Sequence, residues 1–142
     1  MRPMKRGIDS YGDVKVSTGV ATADSVQLIQ MLFDGLIESL RAAEGQIARG
    51  AIEEKSRSLA RAGKIVLGLQ SALNFESGGE IARNLDELYG YVTRRLLHVN
   101  LHNDLEALKE VYGLMAEIQS AWSTVPSMLE GRRSESGMRL AS

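Results

Sequence analysis

The chain has no cysteine and only two prolines among its 142 residues. The lack of cysteine excludes disulfides, Cys-ligated zinc, iron–sulfur clusters and a thiolate nucleophile. A surplus of positive charge is missing as well, because 17 Lys and Arg stand against 18 Asp and Glu, a formal net charge of -1. Binding a polyphosphate requires such a surplus, so the composition argues against a nucleic-acid partner.

Long hydrophobic runs are also missing. No stretch reaches the roughly 18 to 20 consecutive apolar residues of a membrane-spanning helix. The densest stretch, residues 26–37, is interrupted by Gln30 and Asp34. The N-terminus, MRPMKRG, is basic, but the apolar segment of a secretory signal does not follow it. We therefore expect a cytoplasmic protein without membrane insertion.

The sequence does carry a strong helical pattern. Pro3 and Pro126 lie near the two ends and leave the middle of the chain free of the strongest helix breaker. Apolar residues recur there at the steps of three and four that one face of a helix requires. The pattern predicts four helices, over residues 24–48, 51–74, 79–101 and 103–123. Such helices, joined by short links, fold back on one another, which predicts an all-α, antiparallel up-down-up-down four-helix bundle.

Helix starts and core faces follow from the same pattern. Capping boxes are predicted at Asp24 with Gln27 and at Asn103 with Glu106, and a Ser-Gly-Gly turn at residues 77–79 precedes the third helix. The predicted core face of the first helix consists of Ile29, Phe33, Leu36, Leu40, Ala43 and Ile47, and that of the second of Ile52, Leu59, Ala62, Val66, Leu69 and Leu73. The face of the third helix consists of Ile81, Leu85, Leu88, Val92, Leu96 and Val99. The face of the fourth consists of Leu105, Leu108, Tyr112, Met115, Ile118 or Gln119, and Trp122. Leu97 falls off its stripe.

Three parts of the chain are expected. Residues 24–123 form the four-helix bundle, residues 1–23 precede it, and residues 124–142 follow as a polar tail rich in Ser, Gly and Arg. The composition of the tail predicts a flexible, solvated end.

The N-terminal segment has a different character, because apolar residues punctuate a polar, glycine-containing stretch. These residues are Ile8, Tyr11, Val14 and Val16. We expect the segment to dock reversibly on the bundle, with Tyr11 filling a shallow groove through its apolar ring and polar tip. Ordinary packing of an extension against the bundle is the alternative.

Few titratable side chains are placed for catalysis. His98 and His102 supply only two ligands of a metal site. The Glu-x-x-His motif of di-iron bundles is absent, because Arg95 and Val99 stand three residues before the two histidines, where the motif requires glutamate. An ion pair with Glu106 or Glu110 is the expected role of Arg95.

Catalytic and phosphate-binding glycine motifs are absent too. The sequence therefore predicts no enzyme, no metal and no cofactor. A histidine phosphotransfer or signalling bundle that uses His98, with Arg94 nearby, is the alternative function.

Two features exceed the needs of a plain bundle. Residues 26–37 are mostly apolar, so the first helix should be apolar on two faces. Glycines also stand inside predicted helices, at a cost of roughly 0.5 to 1 kcal/mol each. They are Gly35, Gly45, Gly63, Gly68, Gly90 and Gly113. Both features suit a groove for an extended or helical segment. The alternative for the apolar stretch is a central position of the first helix in the bundle. The alternative for the glycines is tight packing between helices.

Three stretches carry a more specific pattern: residues 11–16, residues 21–40 (ATADSVQLIQMLFDGLIESL) and, above all, residues 91–111 (YVTRRLLHVNLHNDLEALKEV). They include or adjoin the motifs Met31-Leu32-Phe33-Asp34-Gly35, Asn84-Leu85-x-x-Leu88-Tyr89 and Arg94-Arg95-Leu96-Leu97-x-Val99-Asn100. Over residues 10–122 the chain resembles the flagellar secretion chaperone family known as FliS. One departure is Ser25, which stands where relatives often carry proline.

The resemblance implies a cytosolic chaperone, without catalysis, that binds the disordered C-terminal segment of flagellin. It prevents premature polymerisation and delivers flagellin to the flagellar type III export apparatus. In that family the flagellin tail folds as it wraps around the bundle and displaces the chaperone's own N-terminal cap.

Carried over to this chain, Tyr11 is the capping aromatic. The predicted client-binding or groove-capping residues are Ile8, Tyr11, Val14, Val16, Met31 and Leu32. Exposed apolar surface in the client-free chain also favours a weak homodimer.

Overall fold

The computed structural model describes residues 23–124. They form α1 (Ala23–Arg49), α2 (Ile52–Ser71), α3 (Phe75–His102) and α4 (Leu105–Ser123). Each helix packs against the next along the chain, and α4 packs back against α1. This confirms the predicted all-α, antiparallel four-helix bundle. The side chain of Asp24 lies outside the described side chains, so its capping box stays a prediction. None of these four helices is long and apolar enough to span a bilayer.

The start of α3 differs from the prediction. The helix begins at Phe75 rather than at Gly79, and Asn74 caps it by accepting a hydrogen bond from the Ser77 N–H at 3.0 Å. Gly79 then interrupts the helix with φ 50° and ψ -125°. The expected Ser-Gly-Gly turn is therefore mostly a short helical turn, residues 75–78, that joins the rest of α3 through a kink. We call residues 75–78 the N-terminal turn of α3.

The link between α3 and α4 also differs, and the capping box predicted at Asn103 is wrong. Asn103 instead ends α3 in the left-handed conformation, with φ 53°, and its N–H donates to the Val99 carbonyl. Asparagine tolerates this conformation better than most residues. Asp104 caps α4, where its Oδ1 accepts a hydrogen bond from the Ala107 N–H at 3.1 Å.

The predicted core faces are buried over most of their length. Two members assigned to them, Ile52 and Ile81, are instead 54% and 71% exposed, because they stand near helix ends where neighbouring helices no longer cover them. The pattern also missed some buried residues: Val26, Ala82, Tyr89, Ala107 and Val111. The core cluster consists of Ile29, Phe33, Leu36, Leu40, Ala43, Leu59, Ala62, Val66, Leu69, Tyr89, Val92, Leu96, Val99, Ala107, Leu108, Val111 and Met115.

One lysine is buried with this core. Lys55 is 4% exposed, and its Nζ donates to the Asn100 carbonyl at 2.9 Å and to Asn103 Oδ1 at 2.8 Å. The last carbonyls of a helix have no partner inside the helix, and the helix dipole favours a cation beside them. Lys55 therefore ties the beginning of α2 to the end of α3.

Candidate functional site

The seam between α1 and α4 is bridged by polar side chains. Gln119 donates to Asp34 Oδ1 at 2.7 Å. Farther along, the Arg41 guanidinium donates to the Tyr112 hydroxyl oxygen at 2.6 and 2.8 Å and lies 5.4 Å from the Tyr112 ring centroid. These contacts join the two helices, and shallow cavities of about 350 and 420 Å³ open beside them.

The seam between α3 and α4 is bridged around Glu110. Arg95 Nε lies 3.1 Å from Glu110 Oε1, which confirms the ion pair expected for Arg95. The Tyr91 hydroxyl also donates to the Glu110 carboxylate, at 2.8 and 2.9 Å, and this hydrogen bond is the main reason that the pKa of Tyr91 is raised. Glu110 therefore holds two side chains of α3 against α4.

The seam between α1 and α2 is bridged by Arg61. Its Nη1 donates to Glu38 Oε1 at 2.8 Å and to Ser39 Oγ at 3.0 Å. A Cβ at Gly35 would lie 3.2 Å from Arg61 Nη2 and 3.3 Å from Ile65 Cδ1. At Gly35 the alternative explanation, tight packing between helices, is therefore confirmed.

The seam between α2 and α3 is bridged near its two ends. Gln70 Nε2 donates to Asp86 Oδ1 at 2.8 Å at one end, and Lys55 contacts Asn100 at the other. In an antiparallel pair these contacts fix the register and place Gly63 opposite residue 93, midway between the bridges. At the helical rise, the distance between the bridges is about 22 Å, or about four turns.

Side chains are small or exposed in this middle stretch. A Cβ at Gly63 would meet nothing within 4 Å, and one at Gly90 would meet only its own helix, at Arg94. Leu67 and Leu97 share the faces of the bridging residues, because they stand three residues before Gln70 and Asn100. They are 54% and 62% exposed.

Leu101, one turn beyond Leu97, is 77% exposed. We call Gly63, Leu67, Gly90, Leu97 and Leu101 the α2–α3 groove. Adjacent exposed apolar side chains rimmed by polar residues are typical of an interaction surface. Gly63 and Gly90 are therefore not sites of tight packing between helices.

A second feature lies where α1 begins and α4 ends. A cavity of about 240 Å³ opens there, which we call the bundle-end cavity. This volume is below the roughly 300 to 1,000 Å³ of small-molecule pockets, so the cavity suits a single large side chain. Its lining is mostly apolar, from Val26, Ile29, Leu69, Ala72, Leu73, Ile81, Ala82, Leu85, Tyr89 and Trp122, with Ser25, Asn74, Ser77 and Gly78 beside them.

Tyr89 is the buried tyrosine of this lining. The residue is 2% exposed, and burial raises its pKa to about 12. Its aromatic ring adds to the apolar surface that an occupant of the cavity would contact.

The raised pKa of Tyr89 predicts alkaline destabilisation. The unfolded chain loses this proton near pH 10 and the folded chain near pH 12, so the stabilisation is complete below pH 10 and declines as the pH rises toward 12. We expect urea unfolding to show wild type losing about 2 kcal/mol more than Tyr89→Phe between about pH 9 and about pH 11.5. Equal losses in the two proteins would contradict this expectation.

The histidine pair has a structural environment. His98 Nε2 lies 2.9 Å from Asp104 Oδ2, and the His98 and His102 rings are 4.7 Å apart between centroids. The hydrogen bond with His98, followed by that from the Ala107 N–H, lowers the pKa of Asp104. Asp104 therefore caps α4 with one oxygen and holds His98 with the other. In the described part of the chain, no three His, Cys, Asp or Glu residues are arranged to hold a metal ion.

The predicted site residues fall into two sets. Met31 is 64% exposed on α1, and Leu32 is half-buried against the core. The other predicted residues, Ile8, Tyr11, Val14 and Val16, lie outside the described residues. The second apolar face expected of residues 26–37 is thus exposed at Met31, whereas most of the stretch faces the core.

Sequence reasoning missed the α2–α3 groove as a site. One signal was present, because Leu97 was recognised as lying off the core stripe. The significance of Leu67 and Leu101 depends on which helix faces which, and periodicity within one helix does not contain that information.

Comparisons with known proteins agree with one another. The family model described as "Flagellar protein FliS" matches residues 7–128. The flagellar secretion chaperone FliS of Salmonella typhimurium is 44% identical over 120 residues, which cover 84% of this chain and 89% of that protein. FliSB of Pseudomonas aeruginosa is 39% identical over 125 residues, covering 88% and 96%. FliS of Vibrio cholerae is 34% identical over 123 residues, covering 87% and 90%.

Proposed function

The chain belongs to the FliS family of flagellar secretion chaperones, and we propose on this basis that it binds the C-terminal segment of flagellin. In this proposal it acts in the cytosol, prevents premature polymerisation of flagellin and delivers it to the flagellar type III export apparatus. No catalytic step, metal or cofactor is part of the proposal. Membership of this family favours a chaperone over the histidine phosphotransfer bundle that the residues left open.

The observation that supports client binding is the α2–α3 groove. An amphipathic helix docks by laying apolar side chains at steps of three and four into such a groove. The stretch between the Gln70 and Lys55 bridges accommodates about four turns of helix. Leu67 and Leu97 are placed to contact the apolar face of that helix, while Gly63 and Gly90 let its backbone approach closely.

The bundle-end cavity supports the proposed cap. Val26 and Ile29, in the first turns of α1, line the cavity, so α1 begins beside it. Tyr11 lies 12 residues before Ala23, a span of up to about 40 Å when extended, and thus reaches the cavity easily.

We place the Tyr11 ring in this cavity, with Ile8, Val14 and Val16 along the same surface. Met31 and Leu32 extend the client surface on α1. In the absence of client, the exposed groove also supports a weak homodimer.

Calorimetric titration of the full chain with the C-terminal segment of flagellin from the same source tests the function. We expect saturable one-to-one binding with a negative heat-capacity change, because the client folds as it buries apolar surface. His98→Gln should bind equally well, since the proposal gives His98 no role in the client site. Absence of binding at tens of micromolar, a free energy weaker than about -7 kcal/mol, would contradict the proposed function.

Tyr11→Ala tests the cap. Leu69 and Leu85 of the cavity lining adjoin the Gln70–Asp86 bridge at one end of the α2–α3 groove, so a docked cap competes with a client that extends past this bridge. Its loss should therefore raise client affinity by about three- to ten-fold, corresponding to about 0.7 to 1.4 kcal/mol. Urea unfolding should show the bundle itself unchanged. An affinity and an exchange rate equal to those of wild type would exclude Tyr11 as the capping residue.

A further inference from the structure

Basic residues are segregated on one face of a chain whose formal net charge is only -1. No acidic residue stands between Glu54 and Glu76, a stretch that covers most of α2, and none stands between Glu87 and Asp104, in the second half of α3. On α1 and α4, acidic residues outnumber basic ones. Since the seam between α1 and α4 lies opposite the α2–α3 groove, the groove is on the basic face of the bundle.

Some of these basic side chains already have partners within the bundle. Lys55 is buried at the end of α3, Arg61 is bound to Glu38, and Arg95 is bound to Glu110. The others form no hydrogen bond or ion pair with the residues that the structure describes. They are Arg57, Lys64 and Arg94, and all three are exposed. Their charges are therefore available to a partner.

The register of α2 and α3 places two of these cations at the middle of the groove. The polar bridges at its two ends fix the register, and the distance of 3.4 Å between Ser56 Oγ and Asn100 Oδ1 agrees with it. In this register Lys64 stands opposite residue 92, and Arg94 lies just beyond that residue on α3. The two side chains therefore flank the groove from opposite walls, within about one turn of each other along its axis.

Two leucines mark the apolar part of the same groove. In that register Leu67 stands opposite residue 89, so it lies about 12 Å from Leu97 along the axis. Each leucine is next to a small residue of the other helix, Leu67 to Gly90 and Leu97 to Ala60. A helix laid in the groove can therefore bury one apolar side chain at each leucine, with roughly two turns between them. The two unpaired cations stand midway between these positions.

A groove of this kind selects its occupant by charge as well as by apolar contact. Two unpaired cations between the apolar positions favour a carboxylate there and disfavour a lysine or an arginine. Long basic side chains can also pack their methylene groups against the apolar edge of a bound helix and keep the charge at its polar edge. A nucleic acid fits less well, because leucine and glycine line the groove in place of the aromatic side chains on which bases stack.

We propose that the α2–α3 groove selects an acidic amphipathic helix. This helix carries two apolar anchors two turns apart, which pack on Leu67 and Leu97, and at least one Asp or Glu between them, which pairs with Lys64 and Arg94. The inference rests on the proposed client binding at this groove and adds the chemical class of the segment that is bound. The charge pairs also position the helix along the groove, since a shift by one turn moves the carboxylate away from both cations.

Two designed helical peptides of equal length test the selection directly. Both carry leucines two turns apart, and they differ only in having glutamate or lysine between those leucines. Fluorescence anisotropy with the full chain measures the two affinities. We expect the glutamate peptide to bind at least about ten-fold more tightly than the lysine peptide at about 50 mM NaCl, and the preference to shrink toward about 500 mM NaCl.

Variants of the chain locate the selection. Lys64→Gln with Arg94→Gln should abolish the preference and lower the affinity for the glutamate peptide by about three- to ten-fold, as expected for exposed charge pairs. The matched control, Arg49→Gln with Lys109→Gln, removes the same charge from exposed positions on α1 and α4 and should bind as wild type does. Urea unfolding checks that each variant remains folded.

Equal affinity of wild type for both peptides, or absence of binding by either, would overturn the inference. An equal loss in the control variant would overturn it as well, because the effect would then follow net charge. Competition by a short single-stranded DNA as strong as that of the glutamate peptide would show recognition of negative charge alone. Release of the peptide by self-association of the chain would assign the groove to a second copy.

Titration with the flagellin segment decides the proposed function separately. If wild type binds this segment and the variant with Lys64→Gln and Arg94→Gln binds it equally well, the chaperone function stands and the charge selection is overturned. If wild type selects the glutamate peptide but does not bind the flagellin segment, the selection stands and the proposed client is wrong.

Discussion

Replacing Leu67 and Leu97 together with glutamate is expected to lower the affinity for the C-terminal segment of flagellin by at least about 100-fold. Burial of each leucine against a client is worth roughly 1.5 to 3 kcal/mol, and an unpaired carboxylate at the same place adds a desolvation cost. The bundle should remain folded, because both side chains are more than half exposed in the free chain. Calorimetric titration gives the affinity, and urea unfolding gives the stability.

The matched control places the same two charges on other helices. Ala42 on α1 and Ala121 on α4 are exposed and lie outside the α2–α3 groove. The pair Ala42→Glu and Ala121→Glu should bind the client with nearly wild-type affinity. An equal loss in both double variants would attribute the effect to net charge. Unchanged binding by the groove variant would exclude the α2–α3 groove as the client site.

Replacing Lys55 with alanine is expected to destabilise the bundle by about 2 to 4 kcal/mol. The substitution removes the donor of the Asn100 carbonyl and of Asn103 Oδ1. A buried acceptor left without a partner costs roughly 1 to 3 kcal/mol, a cost that applies to the Asn100 carbonyl, because the exposed Asn103 side chain can bind water instead. It also removes the packed methylene groups of a side chain that is 4% exposed. Urea unfolding at neutral pH measures the change in the free energy of unfolding.

Lys55→Met separates the two contributions, because it keeps a comparable unbranched stem and removes only the ammonium group. Most of the destabilisation should persist in this variant. Lys64→Met, on the exposed side of α2, is the control and should change stability by less than about 0.5 kcal/mol. If Lys55→Met proved as stable as wild type, the two hydrogen bonds would make no net contribution to stability.

The details that sequence reasoning missed lie at helix ends and between helices. Asn103 with Glu106 reads locally as a capping box, yet Asp104 caps α4, because Asn103 is already used to end α3 in the left-handed conformation. Ile81 continues the apolar stripe of α3, yet it stands just beyond the Gly79 kink and is exposed. Local patterns are ambiguous at such places, where two elements compete for the same residues.

The amino-acid sequence by itself determined the four helices, their order, their antiparallel packing and most of the buried faces. The helices and their buried faces follow from the periodicity of apolar residues and from the absence of proline in the middle of the chain, which both act within one or two helical turns. The antiparallel packing follows from the short links, because they force neighbouring helices together. The FliS pattern was also present in the sequence and was confirmed by the family comparisons.

Only the tertiary structure decided where the surface stays open. The α2–α3 groove exists because polar bridges join these helices at Gln70 and Lys55 while glycines occupy the stretch between them. The bundle-end cavity is lined by residues near the ends of all four helices, among them Ser77 and Gly78 just before the kink at Gly79. Both depend on which side chains from separate helices meet, and a single helical period carries no information about a partner helix.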